Sequence, residues 1–212
     1  CGPVNDRCNN LIQCATRTLP DICGGAGLPS VCGAVGIDAG TCTGLCQNQQ
    51  ACPGVPNNTS FTGIVYAPTQ ADAGYGQPDP IPGAFVYIPN RPEKLSLLDG
   101  DGGVGCLQCA DGLSGDPLVS ANSQTNGAFT LTNVPCGVDV PLVIQLGKWR
   151  RYVTIPAAQA VCGTNIQTTQ EQTRLPRKFN EFNQFDSIPK IAILSGSVDT
   201  IECVLPKIGI AA

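Results

Sequence analysis

Histidine and methionine are both missing from this chain of 212 residues, and charge is scarce, with Asp, Glu, Lys and Arg making up 13%. Without histidine the usual general base near neutral pH is gone, and so is the usual partner of a nucleophilic cysteine. Zinc would have to do without its nitrogen ligand. No Gly-x-Ser-x-Gly elbow and no Gly-x-x-x-x-Gly-Lys-Ser/Thr phosphate loop occurs. Glycosidase chemistry needs two carboxylates brought together. Glu171, Glu181, Asp186 and Glu202 are present, but no spacing joins two of them, and each reads better as solvated surface. Asp99, Asp101 and Asp111 hint at calcium, yet the pattern does not continue to a closing Glu, and a solvated acidic loop is the better reading. The expectation is no enzyme, no cofactor and no metal.

Long hydrophobic runs are lacking too. None approaches the roughly 18 residues of a membrane helix, so no transmembrane segment is expected. A net charge of −4 argues against nucleic acid as the partner. The missing methionine reads as the mark of a processed chain from which any targeting segment has gone.

What the chain has in quantity is cysteine (13), glycine (25) and proline (18). Many turns and few long helices follow from the last two. Cysteines without histidine read as disulfides formed in an oxidising compartment, hence an extracellular or cell-surface protein. The disulfide candidates are Cys8, Cys14, Cys23, Cys32, Cys42, Cys46, Cys52, Cys106, Cys109, Cys136, Cys162 and Cys203. Cys106 and Cys109 have CxxC spacing but lie in a Gly/Asp-rich loop with no second CxxC, so a structural bridge is favoured over redox or metal chemistry. Cys203 is expected to bridge to Cys162 or Cys136. The odd cysteine is Cys1, followed by Gly2 as at the start of a mature bacterial lipoprotein. It either carries lipid or pairs, within the chain or with a neighbouring copy.

The chain divides by composition. Residues 1–52 form a cysteine-rich arm whose few large side chains call for covalent bridges in place of a core. A turn or two of helix is predicted around Asn9–Arg17 and Gly44–Gln50. Residues 53–60 read as a linker, with overlapping N-glycosylation patterns at Asn57 and Asn58. Residues 61–212 read as a β-domain with a C-terminal extension. Its strands are predicted at Phe61–Ala67, Ala84–Ile88, a run from Val119 to Thr125, a segment carrying Phe129 and Leu131, then Val138–Leu146, Trp149–Ile155 and Ile191–Leu194. Asn126-Gly127 and Gly147-Lys148 are the dipeptides of tight hairpin turns. Phe129, Leu131 and Val134 face a core, while Thr130 and Thr132 face out. Residues 157–188 read as irregular. Ser197 caps a predicted helix through Asp199–Leu205, stopped by Pro206. The whole is an all-β, antiparallel sandwich.

Three blocks, FTGIVYAP, PIPGAFVYIP and TNGAFTLTNVPCG, resemble the carboxypeptidase-regulatory, transthyretin-like β-sandwich over roughly residues 60–155. That resemblance implies an Ig-like or transthyretin-like fold in a bacterial surface or secreted protein. The wider order of motifs, from CTGLCQNQQACPG to PKIAILSGSVDTIECVLPKIGI, resembles cysteine-rich secreted and lipoprotein-like proteins of myxobacterial type, which implies location and no reaction. Pilus sandwiches that form isopeptide bonds place a Lys in the first strand; Phe61–Ala67 has none.

Two functional readings stand beside the enzyme. Lys148, Trp149, Arg150, Arg151 and Tyr152 make an aromatic and basic cluster that can stack a sugar or hold an anionic polymer. The plainer account has Trp149 plugging the sandwich edge with the cations solvated beside it. Heavy cross-linking, few charges and long polar loops instead fit a structural or adhesive surface protein. Its expected partners are copies of itself in a filament or oligomer, and polysaccharide.

Overall fold

The register of the longest hairpin organises the molecule. In the computed structural model, Val140–Leu146 (β9) and Trp149–Ile155 (β10) pair antiparallel from Trp149 opposite Leu146 to Ile155 opposite Val140. The Gly147-Lys148 turn joins them, with Gly147 at φ 57. Alternation puts Val140, Leu142 and Ile144 into the main core. The other face of β9 is covered as well, for Val143 packs with Tyr87 and Leu95 in a second, smaller core. β9 is thus a central strand buried on both sides, as its near-continuous hydrophobicity requires.

The structure describes residues 43–49, 59–69, 74, 76–98, 113–194 and 203–210, together with the backbone of four short strands nearer the start. Those four are Val4–Asn5 (β1), Leu11–Ile12 (β2), Asp21–Cys23 (β3) and Cys32–Ala34 (β4). β1 pairs with β2, and β3 with β4 so that Cys23 stands opposite Cys32. Leu11–Ile12 is therefore strand where a helical turn is predicted. The helical turn near residue 46 is present as a 3-10 turn, Leu45–Asn48.

Two sheets pack as a sandwich. One adds Phe85–Pro89 (β6) and Pro117–Asn122 (β7) to the long hairpin, in the order β10-β9-β6-β7. The other is built from Ser60–Ile64 (β5), Ala128–Thr132 (β8) and Asn165–Gln167 (β11), in the order β11-β5-β8. Phe61, Leu131, Val86, Leu142 and Ile155 lie fully or almost fully buried between them.

Four features of the sandwich and its C-terminal extension depart from the sequence reading. First, Asn126-Gly127 does not join a hairpin: β7 pairs with β6 and β8 with β5, so the turn carries the chain from one sheet to the other. Gly127 suits that corner, at φ 74 with Val65 O 2.9 Å from where a Cβ would sit. Second, the sandwich is not wholly antiparallel, because β11 runs parallel to β5. Third, Ile191–Leu194 forms no strand; it has no ladder partner, and Leu194 is 96% exposed. Fourth, the final helix is Val204–Lys207 (α2), with Pro206 inside it. Proline is tolerated there because first-turn N–H groups need no helical acceptor; residues 195–202 lie outside the described set.

Segments before and after the strands grip this scaffold. Leu45 N donates to Asn90 O, Cys46 N to Asn90 Oδ1, and Gln49 Nε2 to Asn133 O. On the other side, Arg177 Nε donates to Gly209 O at 3.0 Å and Ile210 is buried. Cys136 and Cys162 form a disulfide with each other. The expected bridge from Cys203 to either is therefore excluded, and Cys203 is a free, exposed thiol. Cys46 is also disulfide-bonded.

Candidate functional site

The hairpin residues singled out in the sequence do not share a surface. Register places Trp149 and Arg151 on the face of Leu146 and Ile144, and Arg150 and Tyr152 on the face of Gln145 and Val143. Trp149 is half-buried against the main core, and its Nε1 donates to Pro176 O at 2.8 Å. Lys148, in the turn, is half-buried. Arg150 is completely buried; its Nε donates to Phe185 O at 3.0 Å and its Nη2 to Ser96 O at 2.6 Å. Its backbone exchanges two hydrogen bonds with Ser187, each 2.9 Å.

The partner of this hairpin is a strap, residues 174–187, which closes the flank of the sandwich. It follows a short helix, Gln170–Thr173 (α1), opened by a capping box between Thr169 and Gln172. Asp186 is the pin that holds the strap. Its Oδ1 accepts from Tyr152 N at 2.8 Å, and its Oδ2 from Phe182 N at 2.9 Å, Asn183 N at 3.2 Å and Arg151 Nη1 at 3.2 Å. Phe185 packs on Tyr152 with ring centres 5.4 Å apart.

A second arginine completes the cluster. Arg174 pairs with Glu171 at 3.1 Å and with Glu181 at 3.3 Å. Phe182 is near both cations, its ring centre 3.5 Å from the guanidinium carbon of Arg151 and 5.1 Å from that of Arg174. Burial pulls the Arg151 pKa down, and the Asp186 charge opposes that pull. At Arg174 burial is the largest single influence and lowers the pKa, but Glu171 and Glu181 together outweigh it and leave the pKa raised. Arginine stays charged under either balance, so these groups act as fixed electrostatic struts. Three of the four carboxylates weighed at sequence level, Glu171, Glu181 and Asp186, thus converge on two arginines. Glu202 lies outside the described residues.

Two depressions mark the surface. A cleft of about 220 Å³ lies beside the strap, lined by Leu97, Leu98, Phe179 and Phe185 and floored by Arg150 and Asp186. A broader groove of about 310 Å³ lies on the outer face of the three-stranded sheet. Thr62 pairs across to Thr130 and Gln167, which line the groove, and Ser60 to Thr132 and Asn165 in the row beside it. Ser60 Oγ and Thr62 Oγ1 both donate to Asn165 Oδ1, at 3.1 and 3.0 Å. Sequence reasoning saw Thr130 and Thr132 facing out but missed the plane they belong to, since β11 lay in a segment read as irregular. The Thr169-x-x-Gln172 box, a helix-start signal, was the clue that residues 157–188 carry regular structure.

Among the described residues no group of three His, Cys, Asp or Glu side chains is placed to hold a metal, and no helix is long and apolar enough to cross a membrane. Cys1, Cys8, Cys14, Cys42, Cys52, Cys106, Cys109, Asn57, Asn58, Asp99, Asp101 and Asp111 lie outside the described residues, and Cys23 and Cys32 are described in backbone only. No protein-family model, curated protein or solved structure matches the chain.

Proposed function

We propose that this chain is an extracellular structural or adhesive surface protein, a disulfide-braced sandwich able to act as a filament subunit. One observation carries the reading. Arg151 and Asp186, with side chains 5% and 0% exposed, are spent on fastening a strap to the sandwich flank rather than displayed to a substrate. A protein that must stay rigid outside the cell gains from such internal fastening and from the Cys136–Cys162 bridge. The blocks around Gly63, Ala84 and Asn126 support a sandwich of transthyretin-like type.

The anionic-polymer reading loses its support, because Arg150 and Arg151 are both buried. The polysaccharide reading keeps an independent observation, the uncharged outer face of the three-stranded sheet. The test is light scattering and negative-stain electron microscopy of the oxidised chain, with adhesion to coated surfaces measured in parallel. Ordered assemblies or saturable adhesion support the proposal. A chain that stays monomeric at high concentration and adheres to nothing overturns it.

A further inference from the structure

We infer that the outer face of the β11-β5-β8 sheet is a binding face for a neutral polysaccharide; this rests on the adhesive reading and names its ligand class.

The side chains of this face follow from the register. Ser60, Thr132 and Asn165 form one row across the strands, and Thr62, Thr130 and Gln167 the next, with Ile64 and Ala128 beyond. Every polar group in the two rows is a hydroxyl or a carboxamide, and none carries charge. Strand spacing sets these groups about 4.8 Å apart across the sheet and roughly 6.7 Å apart along it. The pattern is a lattice of neutral groups that both donate and accept, which matches the hydroxyls of a sugar chain.

Polarity within the lattice is already set. Because Ser60 Oγ and Thr62 Oγ1 both donate to Asn165 Oδ1, their lone pairs remain as acceptors and Asn165 Nδ2 remains as a donor. Thr130, Thr132, Asn165 and Gln167 are exposed, so a ligand reaches them without rearrangement of the sheet. Tyr66, half-buried, borders the groove and supplies a ring edge or face for an apolar sugar surface.

Charge selects among ligand classes. An anionic polymer needs cations, and the rows offer none. A protein partner would be met by a central apolar or aromatic anchor, and the rows instead centre on Thr62 and Thr130. A neutral glycan needs neither.

The experiment uses the oxidised full chain and calorimetry with three neutral probes, cellohexaose, maltohexaose and mannohexaose, and with hexagalacturonate as the anionic comparison. At least one neutral hexasaccharide is expected to bind. Thr130→Glu and Gln167→Glu, both at exposed positions, are each expected to weaken it about tenfold or more. Thr62→Val removes a hydroxyl without adding charge and is expected to weaken it by a smaller factor. Lys148→Ala, on the hairpin, is expected to leave it unchanged. Thermal melts of the variants confirm folding. Three results each overturn the inference: no neutral probe binds at millimolar concentration, the anionic probe binds more tightly, or binding is insensitive to all three substitutions on the face. Filament formation that persists in such a case leaves the structural role standing and removes only the glycan.

Discussion

Arg151 and Asp186 meet at 3.2 Å with side chains 5% and 0% exposed, and they join the inner face of β10 to a strap 35 residues further along the chain. Asp186 also accepts from three backbone N–H groups, so its charge serves the strap as much as the arginine. Asp186→Asn keeps the shape but leaves a buried cation uncompensated. The expected loss is about 3–5 kcal/mol in urea unfolding. Combining Asp186→Asn with Arg151→Met removes the stranded cation, and the double variant is expected to cost less than the sum of the two single changes. A double variant whose cost equals the sum of the two single costs would show that the pair is not energetically coupled.

Phe182 carries two cations on one ring although 45% of it is exposed. Phe182→Leu preserves bulk and removes the ring quadrupole. It is expected to cost about 1–2 kcal/mol, and the cost should shrink when Arg151 is first changed to Met. Equal costs in the two backgrounds would assign the effect to packing alone.

Burial raises the pKa of both Tyr87 and Tyr152 above the ordinary 10.0. The sign follows from proton counting. Below pH 10 both phenols are neutral in the folded and unfolded chain and contribute no pH dependence. Above it the unfolded phenols ionise while the folded ones hold their protons, so stability falls as pH rises toward the folded pKa values. A titration followed by tyrosinate absorbance should show late-titrating phenols that ionise together with unfolding, and Tyr87→Phe should reduce the alkaline slope. Complete ionisation near pH 10 with the fold intact would refute this.

The Cys136–Cys162 bridge closes a separation of 26 residues. Its replacement by two serines is expected to cost about 3–4 kcal/mol on the chain-entropy account. Non-reducing peptide mapping should recover this pair linked, and Cys203 should react with a maleimide in the native state. A Cys203 peptide found bridged to Cys136 or Cys162 would contradict the assignment.

The sequence displayed the sandwich through alternation. The predicted Val138–Leu146 strand starts two residues late, at Val140, but its pairing with Trp149–Ile155 read correctly down to the turn, because period-2 burial and a glycine-led dipeptide are local signals. Pairing partners were not local. Asn126-Gly127 looks the same in sequence whether its flanking strands pair with each other or with strands in facing sheets, and here they do the latter. β11 is too short, at three residues, to show a period. Trp149 was legible as an edge plug. The burial of Arg150 and Arg151 was not, since the groups that receive them lie between Ser96 and Ser187, in segments that read as loop. The Phe179, Phe182 and Phe185 spacing was the available sign that this loop packs against a neighbour, although Phe179 and Phe182 keep 40% and 45% exposure.

The parallel pairing of β11 with β5 sets an order of events for the chain as it emerges. Ser60 and Asn165 are 105 residues apart, yet they are neighbours in one sheet. The first sandwich strand to be made therefore waits, with one edge bare, until the following 105 residues have been added. For a chain made from its N-terminus, the sheet closes only once residues 165–167 have been added, and a product cut short before residue 165 retains an open edge able to capture a strand from another molecule.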